Sequence, residues 1–382
     1  MALLYLARHQ SGDGSWGGVC ATCTCARVDV GVPLGIIADP GINGRVDALI
    51  DAFEAPDVDS RTRAGMELLQ LGARAVPRLQ EGLRRTDPEA ALRCRDILEQ
   101  LYKGNAEVQA LARRAAAPRA RSAVETTGLS LLCFLGAGYT HLSRDVRVQP
   151  MNPRQFHYGE IIKAGLTWLV GRQDGNGAFD SKDPAGNAVA ALALFEAYGM
   201  TDSPLWKESA QKACDYLLQD RSDDARACAW KAMALMSAEL DKLEGNIQEE
   251  RKRLQDLLSK RVEPLARSAG FILARRGKTT DDGALVGDLH AVKLADLGSE
   301  ELLFVTLGRY HSGGPKCRAW LSWQEPLRDH LLPGQILDAA RCGDGSWEDA
   351  GVFLEVETCA LRTLSLLAYY RYASHFGLFT GS

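Results

Sequence analysis

Residues 2–16 read ALLYLARHQSGDGSW, and residues 164–179 read AGLTWLVGRQDGNGAF. In both, an aromatic (Tyr5, Trp168) stands five residues before a Gln (Gln10, Gln173), and a second aromatic (Trp16, Phe179) follows that Gln by six residues, after a Gly-rich turn. Gln335 with GDGSW at 343–347 is a third, looser copy. Self-similarity at long spacing marks a repeat architecture, in which no single unit can bury its own apolar face.

Working outward from these copies, amphipathic and apolar stretches alternate. Residues 2–9, 160–172, 204–220 and 324–337 are amphipathic or mixed, and 127–141, 186–200, 225–240 and 355–372 are apolar nearly all round. The fourth pair sets 241–275, amphipathic and heavily charged, against 289–309. A helix apolar on every face must be enclosed, whereas one with a polar face can lie outside. About five such hairpins packed side by side make two concentric layers, an all-α α/α toroid.

Residues 45–101 have a different character, with four short amphipathic segments. Asp59 and Asp87 stand at N-cap positions, Pro88 follows at the first helical position, and Gly72 stands where a C-cap glycine belongs. The pattern LG..AVP.L followed by DPE resembles a HEAT-type repeat, and 103–122 reads as an exposed helix or linker. The expected organisation is therefore 1–40 as the first part of the toroid, 41–122 as a HEAT-like insertion with its linker, and 123–382 as the rest of the toroid.

The 382 residues are 46% hydrophobic and 25% charged, with a formal net charge of −4. That balance gives no basic field for nucleic acid, and no apolar run has the length of a membrane span. Arg8, His9 and Gln10 stand where a signal peptide would need apolar residues, so the default location is cytoplasmic. The chain begins inside a repeat, so a preceding segment with its own address stays open.

The A..(Y/W)L...Q....G.W pattern resembles the QW motif of the squalene–hopene cyclase and prenyltransferase-β superfamily, whose members are α/α toroids. Segment order is most similar to bacterial squalene-cyclase-like repeat proteins of unassigned activity. The resemblance implies that Gln and aromatic tie a helix end to the following turn. It also exposes departures: Arg221 and Arg276 occupy Gln positions, and no aromatic turn follows either.

Those cyclases protonate an alkene with an Asp-x-Asp-Asp motif, which this chain lacks. Its nearest approaches are Asp220 with Asp223 and Asp224, and Asp281 with Asp282. The resemblance makes Asp223 and Asp224 the candidate catalytic carboxylates; local rules make them caps of the helix that follows. Trp230, Phe304, Tyr310, Trp320 and Trp323 are candidates for lining an apolar, isoprenoid-like ligand cavity, against the plainer reading of core aromatics. Cys20, Cys23 and Cys25 are spaced as thiolates of a zinc site could be, although a fourth ligand is needed and unligated thiols are the plainer reading. Glu357-Thr358-Cys359 is a loose match to the zinc motif of protein prenyltransferases, with His290 a distant companion. The charged run 241–263 reads as one long solvated helix with pairs such as Glu249–Arg253. That run and the HEAT-like module are the candidate surfaces for a protein partner. Three functions remain open on sequence: a non-catalytic binding or scaffold toroid, a terpenoid cyclase or prenyl-transferring enzyme with a divergent acid, and another enzyme class on the same scaffold.

Overall fold

A computed structural model describes residues 1–17, 40–83, 85, 87–104, 122–149, 152–275, 292–337, 344–349, 352–353 and 356–375. The described chain is mostly α-helical, with two short antiparallel hairpins, β1 (Val146–Gln149) with β2 (Asn152–His157) and β3 (Glu348–Asp349) with β4 (Val352–Phe353). It divides into two compact units. One comprises Met1–Cys23, Arg121–Trp347 and Leu354–Ser382; the other comprises Thr24–Ala120 and Glu348–Phe353.

The smaller unit holds α2 (Pro40–Asp51), α3 (Val58–Leu71), α4 (Val76–Gly82) and α5 (Pro88–Gly104). α2 pairs with α3 and α4 with α5, and the pairs stack α2 on α4 and α3 on α5. Val46, Ile50, Phe53, Leu68, Leu79, Cys94 and Ile97 fill the core between them. Gly82 allows α4 to approach α5, since a Cβ there would lie 2.6 Å from the Cys94 sulfur. Arg78 forks onto both oxygens of Asp47 at 2.7 and 2.5 Å, tying α4 to α2. Asp57, not Asp59, caps α3 by accepting from the Ser60 amide, because the helix begins at Val58. Asp87 caps α5 as expected, accepting from the Ala90 amide.

The larger unit holds α1 (Ala2–Arg8), α6 (Ala123–Gly136), α7 (Tyr158–Arg172), α8 (Pro184–Thr201), α9 (Pro204–Gln219) and α10 (Ala225–Leu240), then α11 (Ile247–Leu258), α12 (Pro264–Arg275), α13 (Ser299–His311), α14 (Arg318–Leu331) and α15 (Val356–His375). Six of these are in contact in a closed series: α6 with α8, α8 with α10, α10 with α12, α12 with α13, α13 with α15, and α15 with α6 again. The amphipathic helices bridge successive members. α9 touches α8 and α10, α11 touches α10 and α12, α14 touches α13 and α15, and α1 touches α15 and α6. Every residue of α6 from Val124 to Gly136 is buried, as is α8 from Ala185 to Tyr198. Gly128 permits that contact: a Cβ there would meet the Val189 side chain at 2.9 Å and the Ala190 backbone at 3.1 Å.

One expectation is corrected. The run 241–275 is not one amphipathic element: Pro264 opens a separate helix, α12, whose Leu265, Ala266, Ala269, Phe271, Ile272 and Leu273 are buried as members of the cycle. The cycle therefore has six members among the described residues, where five pairs were expected. The charged helix α11 is correspondingly shorter, and Arg253 pairs with Glu250, not Glu249. Its outward residues Gln248, Glu249, Lys252 and Asp256 are exposed and polar, while Ile247, Leu254 and Leu258 face inward.

The recurring turn is built the same way each time. Gln10 Nε2 donates to the Gly14 carbonyl and to the Ile161 carbonyl in α7, both at 2.9 Å. Gln173 Nε2 donates to the Gly177 carbonyl at 3.2 Å and to the Ser209 carbonyl in α9 at 2.9 Å. Gln335 Nε2 donates to the Gly345 carbonyl at 3.1 Å. Gly14, Gly177 and Gly345 have φ of 94°, 93° and 90°, and a Cβ on them would strike the backbone oxygen of Ala164, Lys212 and Met1 respectively. The aromatic closes the turn. Trp16 donates its indole N–H to the Leu6 carbonyl at 2.8 Å and its amide to Thr127 Oγ1 at 2.9 Å, and the Phe179 amide donates to Asn187 Oδ1 at 2.6 Å. The tie thus reaches the following amphipathic helix and is not confined to its own hairpin. Arg221 does the same by charge, donating to Glu250 of α11 at 2.6 Å. After the first turn, Gly17 lies beside the start of α6, where a Cβ would be 3.3 Å from Ala123 Cα.

Gly177→Ala should lower the melting temperature by about 5 °C or more, because it adds left-handed strain to a backbone collision. Gly175→Ala, where a Cβ meets nothing within 4 Å, should change it by no more than about 1 °C. Equal effects in thermal melts would show that the turn does not dock as described.

Candidate functional site

Charged side chains on otherwise apolar helices are the place to look for a site, since burial of a charge is costly unless it is paired. Glu125, Arg226 and Glu300 stand in the first turns of α6, α10 and α13, which are alternate members of the cycle and not neighbours in it. Their side chains are 2%, 14% and 13% exposed. Arg226 Nε donates to both oxygens of Glu300 at 2.9 Å, and Nη2 donates to Glu125. The Trp230 indole donates to Glu300 Oε1 at 2.5 Å, and the Trp230 ring meets Phe304 edge-on at 5.0 Å. A cation in the first turn of its own helix opposes the helix dipole, whereas Glu in that position agrees with it. Arg226 is therefore held where it is by the two carboxylates.

Around this cluster the helix starts are capped. Ser122 Oγ accepts from the Glu125 amide and donates to Asp183 at 2.6 Å, and Asp183 accepts from the Gly186 amide. Asp224 Oδ2 accepts from the Ala227 amide at 2.8 Å and is the cap of α10. The Asp223 side chain is 75% exposed and lies 3.7 Å from Arg253. Of the five aromatic candidates, Trp230 and Phe304 meet beside Glu300. Tyr310 instead packs edge-on against Trp320 at 5.1 Å, and Trp323 lies under the Arg309 guanidinium at 4.1 Å while donating to Thr306 at 3.0 Å. All five are buried. The structure thus brings together one pair of the five and places the other three between α13 and α14.

Cys20, Cys23 and Cys25 lie outside the described residues, as do His290, Asp281 and Asp282. Among the described residues no group of three or more His, Cys, Asp or Glu side chains could hold a metal. Cys359 is fully buried; burial pushes its thiol up to about 12, against the pull of the Trp347 amide and the Ser346 side chain. It accepts from the Trp347 amide and so serves the third turn as Thr127 and Asn187 serve the other two.

Two further charged groups went unrecognised in sequence. Lys231, 2% exposed, donates to the Asp220 carbonyl and to Glu250, each at 2.6 Å. Burial holds its ammonium below the ordinary lysine value, against the pull of Glu250. Burial pushes Glu250 upward, but bonds from Arg253 and Lys231 outweigh it and leave the carboxyl below its usual range. Because Arg221 and Arg253 would still serve Glu250, Lys231→Met should cost about 1–2 kcal/mol, and Glu250→Ala, which takes the carboxylate from the buried Lys231, about 3–5 kcal/mol. Urea unfolding giving the reverse order would refute this assignment.

At the C-terminal ends of α8 and α10, burial and then the neighbouring Glu196 carboxylate raise Asp241 to about 7, opposed by a bond from Ser237. The Asp241 carboxylate lies over Gly199, where a Cβ would fall 1.9 Å from Oδ1 and would oblige that side chain to shift. The folded chain holds the Asp241 proton more tightly than the unfolded chain, so this stabilisation is complete below about pH 4 and is lost as pH rises through about 7. Asp241→Asn should flatten that slope and raise stability at pH 8 by on the order of 2 kcal/mol. Melting curves at pH 5 and pH 8 that move in parallel for parent and variant would rule it out.

Comparison with protein-family models, curated proteins and solved structures returned no match. The site is therefore read from its own chemistry. Among the described residues no helix is long and apolar enough to cross a membrane. The arrangement can hold a cation between two fixed carboxylates.

Proposed function

We propose that the chain is a non-catalytic binding protein built on an α/α toroid of the squalene–hopene cyclase and prenyltransferase-β type, with a HEAT-like module inserted in its first turn. The closed series of six enclosed helices, bridged by amphipathic ones, supports the toroid. One observation carries the non-catalytic reading. At the helix starts, where a cyclase of this type would need an acid and open space for a polyene, Arg226 spans from Glu125 to Glu300 and Trp230 packs on Phe304. Carboxylates committed to a guanidinium are poor proton donors to an alkene. Asp224 is committed to a cap and Asp223 faces solvent beside Arg253. On this reading the two stacked hairpins of residues 40–104 offer the surface for a protein partner, as solenoid hairpins do.

Incubation of the purified chain with squalene, and separately with farnesyl diphosphate, followed by product analysis, should give no more product than heat-inactivated protein. A product from the parent overturns the binding reading, and its loss in Asp223→Asn/Asp224→Asn would locate the acid.

A further inference from the structure

The hairpin of β1 and β2 packs one face on aromatic side chains and presents the other. Among the described residues its sheet holds only these two strands. Phe156 is buried, Arg147 across from it donates to the Tyr139 hydroxyl at 3.0 Å, and Tyr158 meets Phe134 and Tyr139 edge-on. The base is fixed. The Tyr158 amide donates to the Asp145 carbonyl at 3.3 Å, and a Cβ on Gly159 would lie 2.2 Å from the Ser143 carbonyl oxygen. β1 is thus held in place without its outer side chains, Val146 and Val148, which are 41% and 54% exposed. A two-stranded ribbon is marginal in water, and an uncovered edge beside apolar side chains is a template for another strand. Because Asp145 bonds Tyr158, the backbone groups of 145 and 147 turn toward β2, and those of 146 and 148 turn outward. β2 contains Pro153, which has no N–H to give, and β1 contains no proline. The stretch Arg144-Asp145-Val146-Arg147-Val148 also fits itself. Matched antiparallel to its own copy about Arg147, it would set two guanidinium groups opposite each other, which is destabilising. Matched about Val146, it sets Val146 against Val146, and each Asp145 against Arg147 of the second copy. Both registers use the outward backbone groups, so charge decides between them.

We propose that two copies of this chain pair through β1 about a two-fold axis at Val146, joining their hairpins into one four-stranded antiparallel sheet. The contact is isologous, so it closes at a dimer, and it leaves the Pro153-bearing β2 strands at the outer edges of the joined sheet. Val146 and Val148 of both copies come onto one face, and Arg144 stands opposite Val148 of the second copy. Backbone bonds supply the association, and the crossed Asp145–Arg147 pairs fix its register. A contact of so few residues belongs at the small, reversible end of interface sizes. This pairing goes beyond the binding reading above and does not depend on it, since that reading is tested by product formation and this one by association.

Sedimentation velocity of the full-length chain under reducing conditions, from about 10 μM to about 1 mM, should show a reversible monomer–dimer equilibrium. Asp145→Arg and Arg147→Asp should each raise the dissociation constant at least about tenfold, because each sets like charges opposite one another at both crossings. The double variant Asp145→Arg/Arg147→Asp exchanges the charges and should return to within about threefold of the parent. An equimolar mixture of the two single variants should form a dimer at concentrations where neither does alone, which a misfolded chain could not do. Val148→Glu, placed opposite Arg144, should dimerise at least about fivefold more tightly than Val148→Lys. That comparison decides the matter if Arg147→Asp, which loses its bond to Tyr139, does not fold. A parent that stays monomeric at the highest concentration overturns the proposal and leaves the edge to a strand of another protein. A dimer that both single variants leave intact, or folded single variants whose mixture does not associate, overturns it as well.

Discussion

The larger unit depends on one constraint: a helix without a polar face has nowhere to stop adding neighbours until it is enclosed. α6 and α8 are buried along almost their whole length, so each needs helices on both sides and a cover behind. A row of such helices would leave two bare ends. The contact series removes both by returning from α15 to α6, with α1 laid over that last seam. The Gln–Gly–aromatic turns serve the same constraint. The first two are each satisfied in part by a carbonyl of the following amphipathic helix, so those hairpins are incomplete until their neighbour is in place. Coupling of this kind raises the interface terms of a repeat protein above those of its single units.

The helical layout was largely legible because its signals are local. Periodicity identified α7 and α9, all-round apolarity identified α6, α8 and α10, and Gly72, Asp87 and Pro88 marked helix ends for steric and hydrogen-bonding reasons that do not depend on the rest of the chain. The run 241–275 was misread because its charge is concentrated in 248–256, and averaging over the run hid the apolar composition of 265–273. Only Pro264 marks the break. The caps of α3 differed by two residues, since Asp57 and Asp59 are both acceptable there and only the position of Val58 in the first turn decides.

The charged cluster was legible in its parts and not in its pairing. A Glu in AVETTG and an Arg and a Lys in ARACAWKAM are conspicuous in apolar helices, and a buried charge demands a partner. Nothing local says that Glu125 and Glu300 share Arg226, because they are separated by 101 and 74 residues from it. Asp223 and Asp224 drew attention through a family motif, while the residues that meet across the helix starts belong to no linear pattern. Chemistry at such a point is set by which helices alternate, a property of the closed series and not of any segment.

Gly17 and Ala123 almost touch, although more than a hundred residues of chain lie between them. The path that leaves the first turn therefore comes back to the place it left, and the hairpin it interrupts keeps its geometry. An insertion with adjoining endpoints adds little loop-closure cost to its host, since the cost grows only slowly with the length inserted.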